Sequence, residues 1–243
     1  MSGLMNLEEK NSREIEEFLK SKGAEVVGFA SLEGIKNVPK EYPNSILIGI
    51  PIEKEALKTI YTDDQSTYVE SMKSLALKLN DIVLEGEDYI KDNMNYNALA
   101  MSRERVAKDF EGLASKIPHK TTGTRSGLGW IGRCALLISP KYGAALRLST
   151  ILTDMPIKVG TPIDDSLCDD CTECQDVCPV NAINDVKWDS RKEREEYLCT
   201  ILDKIKNLLG NFEYYYDLDG NFIFQEVKNY LNNTPKVSLI GVK

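Results

Sequence analysis

Apolar positions recur with a helical rhythm at the start of the chain. Leu7, Ile15, Phe18 and Leu19 fall on one side of a charged segment that ends near Gly23, which predicts a first amphipathic helix. Residues 24–30 (AEVVGFA) then read as a strand, and after a polar, proline-containing loop residues 45–52 (SILIGIPI) form a near-continuous apolar strand of buried type. Between Tyr68 and Glu85 the apolar residues Val69, Met72, Leu75, Ala76, Leu79, Ile82 and Val83 follow a 3.6-residue period and predict a long helix. A short strand or helix around Tyr96–Met101 precedes a helical Ser102–Ser115. Residues 134–140 (CALLISP) and 144–154 (AALRLSTILTD) are strand-like and flank the turn signal Lys141-Tyr142-Gly143, so a hairpin is expected. Phe212, Tyr214, Tyr215, Tyr216 and Phe222 around the turn at residues 217–221 predict another. The expected architecture is α+β: a domain over residues 1–160, a Gly160-Thr161-Pro162 junction, and a smaller module over residues 161–243.

The second module carries the strongest chemical signal. Cys168, Cys171, Cys174 and Cys178, followed by Pro179, form C-x-x-C-x-x-C-x-x-x-C-P, the spacing with which bacterial ferredoxins ligate iron–sulfur clusters. The chain has six cysteines, and beyond this run only Cys134 and Cys199 remain, too few for two all-cysteine cubanes. One [4Fe–4S] cluster is therefore expected on Cys168, Cys171 and Cys174. Its fourth ligand is Cys178 or Cys199, or is absent, which would give a three-iron cluster. Paired C-x-x-C spacings also build structural zinc sites, but the third cysteine and the trailing proline follow the ferredoxin pattern. Cys134, inside a predicted buried strand, reads as a small core hydrophobe.

Charge sharpens this picture. Hydrophobic residues make up 42% of the 243, enough for a sizeable core, and the net charge of −8 argues against a general nucleic-acid binder. From Gly112 to Thr153 there is no Asp or Glu, while Lys116, Lys120, Arg125, Arg133, Lys141, Arg147 and the one histidine, His119, lie there. Asp164, Asp165, Asp169, Asp170, Glu173 and Asp176 then crowd the cysteine run. The basic stretch suggests an anion site and the acidic one a docking face for a basic redox partner protein. Within the basic stretch Gly127, Gly129 and Gly132 (GLGWIG) satisfy G-x-G-x-x-G in the wrong context for a dinucleotide fingerprint, since no strand leads into the glycines and no helix follows them. The loop reads instead as a tight turn offering Trp130 and Arg133 to a planar or anionic ligand. With no signal peptide and no apolar run near the roughly 18 residues of a membrane span, a cytoplasmic protein with reduced thiols and no membrane partner is expected.

Residues 119–157 (HKTTGTRSGLGWIGRCALLISPKYGAALRLSTILTDMPI) followed by 168–183 (CDDCTECQDVCPVNAI) closely resemble the epoxyqueuosine reductase-like iron–sulfur proteins, relatives of the corrinoid-dependent reductive dehalogenases. The resemblance covers about residues 20–200. It implies an N-terminal domain of flavin-reductase or nitroreductase-like fold, often housing a cobalamin, and a ferredoxin-like module that feeds it single electrons. It thereby marks Lys120, Arg125, Gly127, Gly129, Trp130, Gly132 and Arg133 as a cofactor or substrate cleft. The Asp-x-Gly-Pro element that carries the family's proposed proton donor is missing; residues 117–123 read IPHKTTG, with His119 as the candidate replacement. No second cysteine run follows, and Cys178 and Cys199 look like leftovers of a lost second cluster. The family's tRNA-reaching helical extension is also missing, so tRNA is not an expected partner. The chain is expected to be an iron–sulfur oxidoreductase, with a non-catalytic electron carrier or metal-bound scaffold as the alternative.

Overall fold

The computed structural model describes residues 6–35, 38–62, 64, 66–108 and 119–176. In chain order these form α1 (Leu7–Ser21), β1 (Val26–Ser31), β2 (Asn44–Pro51), α2 (Lys54–Lys58), a 3-10 turn (Thr59–Tyr61), α3 (Ser66–Asp92), β3 (Ala98–Ala100), α4 (Arg103–Lys108), α5 (His119–Arg125), β4 (Trp130–Ile131), β5 (Leu137–Ile138), β6 (Leu146–Thr153) and α6 (Glu173–Asp176). The α+β class expected from the pattern is observed. Cys178, Cys199 and the aromatic hairpin predicted around residues 212–222 lie outside the described residues.

Four strands form an antiparallel sheet in the order β1-β2-β6-β3. The central β2 is buried at every position from Ser45 to Ile50, because each face of the sheet carries a layer. Successive strand residues point to opposite faces. Ile46, Ile48 and Ile50 enter the main core with Ile15 and Leu19 of α1 and Leu79, Ile82, Val83 and Ile90 of α3. Leu47 points the other way, to Ile131, Ala135 and Leu137 of the β4–β5 ribbon. Helix α5 packs on β1, β2 and β6. Complete burial of each such Ile or Leu contributes about 1.5–3 kcal/mol, so β2 ties both layers to one sheet.

Three expectations change. Leu7, assigned to the buried side of α1, is 55% exposed. Near that end the inward positions are Asn11 and Ser12, which bond the segment after β6: Asn11 Nδ2 donates to Pro156 O at 2.9 Å and Ser12 Oγ accepts from Lys158 N at 2.8 Å. The second change concerns the hairpin. Ser139 and Gly143 exchange backbone hydrogen bonds at 2.9 and 2.8 Å, but the strands then part: β5 turns back to pair with β4, and β6 joins the main sheet. Third, Cys134 belongs to the turn between β4 and β5, not to a buried strand, and is half-buried.

Candidate iron–sulfur site

Helix α5 opens the site. Its sequence HKTTGTR is a poor helix former, yet Thr122 and Thr124 are fully buried and Gly123 lets the helix close on Leu137, whose Cδ2 would stand 2.5 Å from a Cβ there. Tertiary packing makes this helix. It fixes His119, whose Nδ1 lies 3.0 Å from Thr150 Oγ1, and Lys120, whose Nζ donates to Ala135 O at 2.7 Å. Burial, with the charges of Arg147 and Lys120, pushes the His119 pKa down to about 4, so the ring is neutral at pH 7. Protonation is disfavoured in the native state relative to an unfolded chain near 6.5. The resulting stability is whole above pH 6.5 and lost as pH falls toward 4. Between pH 7 and pH 5 this amounts to about 2 kcal/mol. Urea unfolding of the parent and of His119→Asn at both pH values should show that much extra loss in the parent.

The glycine loop follows α5, and close packing explains its composition. Gly127 has φ +76°, and a Cβ there would stand 2.5 Å from Thr161 O; at Gly129 it would stand 2.1 Å from Ile138 O. No side chain is tolerated at such distances. A Cβ at Gly132 would likewise meet the Ile138 side chain at 2.8 Å. Each of the three glycines is thus required by packing against this chain's own backbone or side chains.

Beyond the loop, Arg133 reaches the cysteine turn. Its Nη1 donates to Cys171 O at 2.5 Å and Gln175 Oε1 at 3.3 Å, and its Nη2 to Asp169 O at 2.6 Å. Nothing in the sequence alone linked these segments; the hint was a fork-shaped donor set placed directly after a glycine turn. Arg125 pairs with Asp164 at 2.5 Å and Lys141 with Glu25 at 3.6 Å. Several cations of the basic stretch are thus engaged by this protein's own acceptors.

Cys168, Cys171 and Cys174 are brought together by a tight turn, in which Cys171 N–H donates to Cys168 O at 2.9 Å, and by the short α6. Asp169 occupies the left-handed region at φ +43°, a conformation Asp tolerates better than most residues. Burial raises the Cys174 pKa to about 11, helped by the charges of Cys134, Cys168 and Cys171. Cys168 moves the other way: burial opposes its ionisation, but hydrogen bonds from the Ser166 side chain and the Arg133 backbone, the nearby Trp130 indole N–H and the Arg133 charge outweigh it. Trp130 Nε1 is buried without an acceptor in hydrogen-bonding geometry, although it faces the Cys168 sulfur closely enough to bias it.

These features fit an iron–sulfur cluster. At Cys174 the neighbouring thiols raise the cost of ionisation, a repulsion that bound iron relieves, and the buried Trp130 indole N–H lacks an acceptor that a sulfur could supply. A zinc ion would draw its thiolates to within about 3.8 Å of one another, from Zn–S bonds of about 2.3 Å in a tetrahedron. Among the described residues no three His, Cys, Asp or Glu side chains are grouped closely enough to hold a metal ion of any kind, so the preference for iron–sulfur over zinc rests on the cysteine spacing. The glycines of the loop are accounted for by packing within the chain and lend cobalamin no such support. A cavity of about 470 Å³ lies elsewhere, lined by residues including Ser31, Asn44, Asp154 and Lys158. Because Arg133 orients the cluster turn from outside, Arg133→Met should hasten iron release to a chelator about 10–100-fold without unfolding the protein.

Residues 161–184 match the Fer4 family model, a 4Fe-4S binding domain. The sequence is 30% identical over 132 residues to the epoxyqueuosine reductase of Leadbetterella byssophila, covering 50% of this chain and 42% of that protein. It is 32% identical over 110 residues to that of Bacillus anthracis, covering 45% of this chain and 27% of that one. The matches therefore span less than half the length of these curated relatives. Among solved structures, the catabolic reductive dehalogenase NpRdhA superposes with a TM-score of 0.59 at 21% identity, over 82% of this chain and 30% of its own, a likeness of fold. No helix among the described residues is long and apolar enough to cross a membrane. By sequence over about half its length, the chain is similar to epoxyqueuosine reductases, and its residues 161–184 match a 4Fe-4S binding domain.

Proposed function

We propose that the protein is an iron–sulfur oxidoreductase, in which a [4Fe–4S] cluster on Cys168, Cys171 and Cys174 receives single electrons from a redox partner protein and passes them to an acceptor beside the loop of residues 127–133. The carrying observation is the Arg133 clamp, which seats the cysteine turn against that loop. The division into a 1–160 domain and a 161–243 iron–sulfur module belongs to the same reading, with the acids around the cysteines as the partner's docking face. A tRNA is not proposed as a partner, since a net charge of −8 opposes a phosphate backbone.

Cobalamin is the acceptor that the resemblance names, and His119 the proton-relay candidate. Two observations favour a second reading, an electron carrier that keeps the cluster and has lost the chemistry. The loop glycines are accounted for by packing within the chain, and His119, with its pKa near 4, is no proton donor at neutral pH. Anaerobic titration of the reduced protein with hydroxocobalamin separates them. The enzyme reading expects stoichiometric uptake, with cobalt reduction matched to cluster oxidation. The carrier reading expects no uptake, while the cluster still reduces an added electron-accepting dye.

A further inference from the structure

We propose that Cys134 is the fourth thiolate ligand of the cluster on Cys168, Cys171 and Cys174. The sequence offers Cys178 and Cys199 for that place, yet in the C-x-x-C-x-x-C-x-x-x-C-P arrangement the cysteine before proline serves another cluster, and this chain has no second run to complete one. A ligand must then come from elsewhere in the fold. Cys134 is the described cysteine that tertiary structure brings to the turn.

The placement is specific. Cys134 stands at the tip of the β4–β5 turn, directly after Arg133, whose guanidinium is bonded to the carbonyl oxygens of Asp169 and Cys171 inside the cysteine turn. Its own turn is closed by Ala135 N–H to Gly132 O at 2.8 Å and Gly132 N–H to Leu136 O at 2.9 Å. Ala135 is held at φ +60°, a left-handed region disfavoured for a residue with a Cβ. The Lys120 bond to Ala135 O helps hold it there. Backbone strain next to a chemical group is retained where surrounding structure over-determines it. Here two residues with positive φ, Ala135 and Asp169, shape two loops that Arg133 ties face to face. The thiol is half-buried, like those of Cys168 and Cys174. The charge of Cys168 is felt at Cys134, and among the thiols Cys134 weighs most on Cys174, in line with the Arg133 tether that sets the two loops face to face. A core cysteine would instead be shut among apolar side chains, away from other thiols.

Ligation requires no redox step: each thiol releases its proton to solvent as its sulfur binds iron, so assembly is favoured as pH rises. The inference rests on the iron–sulfur reading, and the test separates the two. After anaerobic reconstitution, iron, sulfide and EPR spectra are compared for the parent and for Cys134→Ala, Cys134→Ser, Cys178→Ala and Cys199→Ala. About four irons in the parent secure the cluster. Cys134→Ala should then hold about three, with a three-iron signal in the oxidised state, while Cys178→Ala and Cys199→Ala keep four. Should Cys134→Ala fail to fold by far-UV circular dichroism, Cys134→Ser decides, because oxygen ligation would keep four irons and change the reduced spectrum. Four irons in Cys134→Ala, or an unchanged spectrum in Cys134→Ser, overturns the assignment and leaves the cluster standing. A parent without iron and sulfide overturns the cluster itself.

Discussion

Cys174→Ala is expected to abolish cluster assembly, taking iron from about four per chain to near zero, with loss of the visible charge-transfer absorption. Of the three thiols in the turn, Cys174 depends most on iron for its charge. It lies half-buried in α6, and burial together with the neighbouring thiols lifts its pKa to about 11. Without metal it is a neutral thiol at pH 7; with metal its thiolate is balanced by the iron, and removing it leaves an open face toward solvent. The same shift predicts that cluster assembly in the parent slows as pH is lowered from 9 to 7, because the proton must leave first. Iron and sulfide assays on the reconstituted variant check the first expectation. Iron retained at the parent's level would show that the cluster does not need this sulfur.

Glu87→Ala should cost about 3 kcal/mol or more of folding stability, the largest effect expected away from the cysteines. Glu87 lies in α3 with a side chain only 5% exposed, yet it is charged. Its Oε2 accepts from the Ala100 backbone N–H at 2.7 Å and from Arg105, and its Oε1 pairs with Lys91. Arg105 also donates to Ala100 O at 2.9 Å, so one carboxylate joins α3, β3 and α4. Burial alone would raise its pKa, but bonds from Arg105, Lys91 and Ala100 prevail and lower it. The stabilisation is therefore present above the unfolded carboxylate's pKa, about 4.3, and is lost as pH falls through the lower folded value. Alanine leaves the Ala100 N–H buried without an acceptor, whereas Arg105 and Lys91, each about 40% exposed, regain water. Urea unfolding at pH 7 measures the loss, and Glu87→Gln, which keeps an acceptor for Ala100, should recover part of it. An alanine variant as stable as the parent would mean that the network contributes nothing net.

What the sequence revealed depended on whether a feature was periodic or merely adjacent in space. The run Ile46 to Ile50 announced a strand buried on both faces, and the spacing of Leu79, Ile82 and Val83 announced α3, because burial there repeats with the element's own period. The cysteine run was equally readable, since its geometry is local. Helix α5 was not: threonines and a glycine carry little helical preference, and contacts with β1, β2 and β6 override it. Cys134 was misplaced for a related reason. Residues 134–140 look like a strand, but the ribbon shrinks to Leu137–Ile138 once Ala135 turns into the left-handed region, which no propensity for alanine foretells. Glu87 and Arg105 are eighteen residues apart, and their pairing follows from the return of the chain through β3. Trp130 and Arg133 drew notice as ligand contacts. The described structure bonds Arg133 to the cysteine turn, a long-range contact the sequence does not display.

The central claim is that Cys168, Cys171 and Cys174 hold an iron–sulfur cluster against the glycine loop. The most direct test is anaerobic purification with iron, acid-labile sulfide and zinc counts, and EPR spectra before and after dithionite. The account predicts about four irons and four sulfides per chain, with a signal that appears on reduction. Stoichiometric zinc without sulfide, or protein that takes up neither metal, would contradict it.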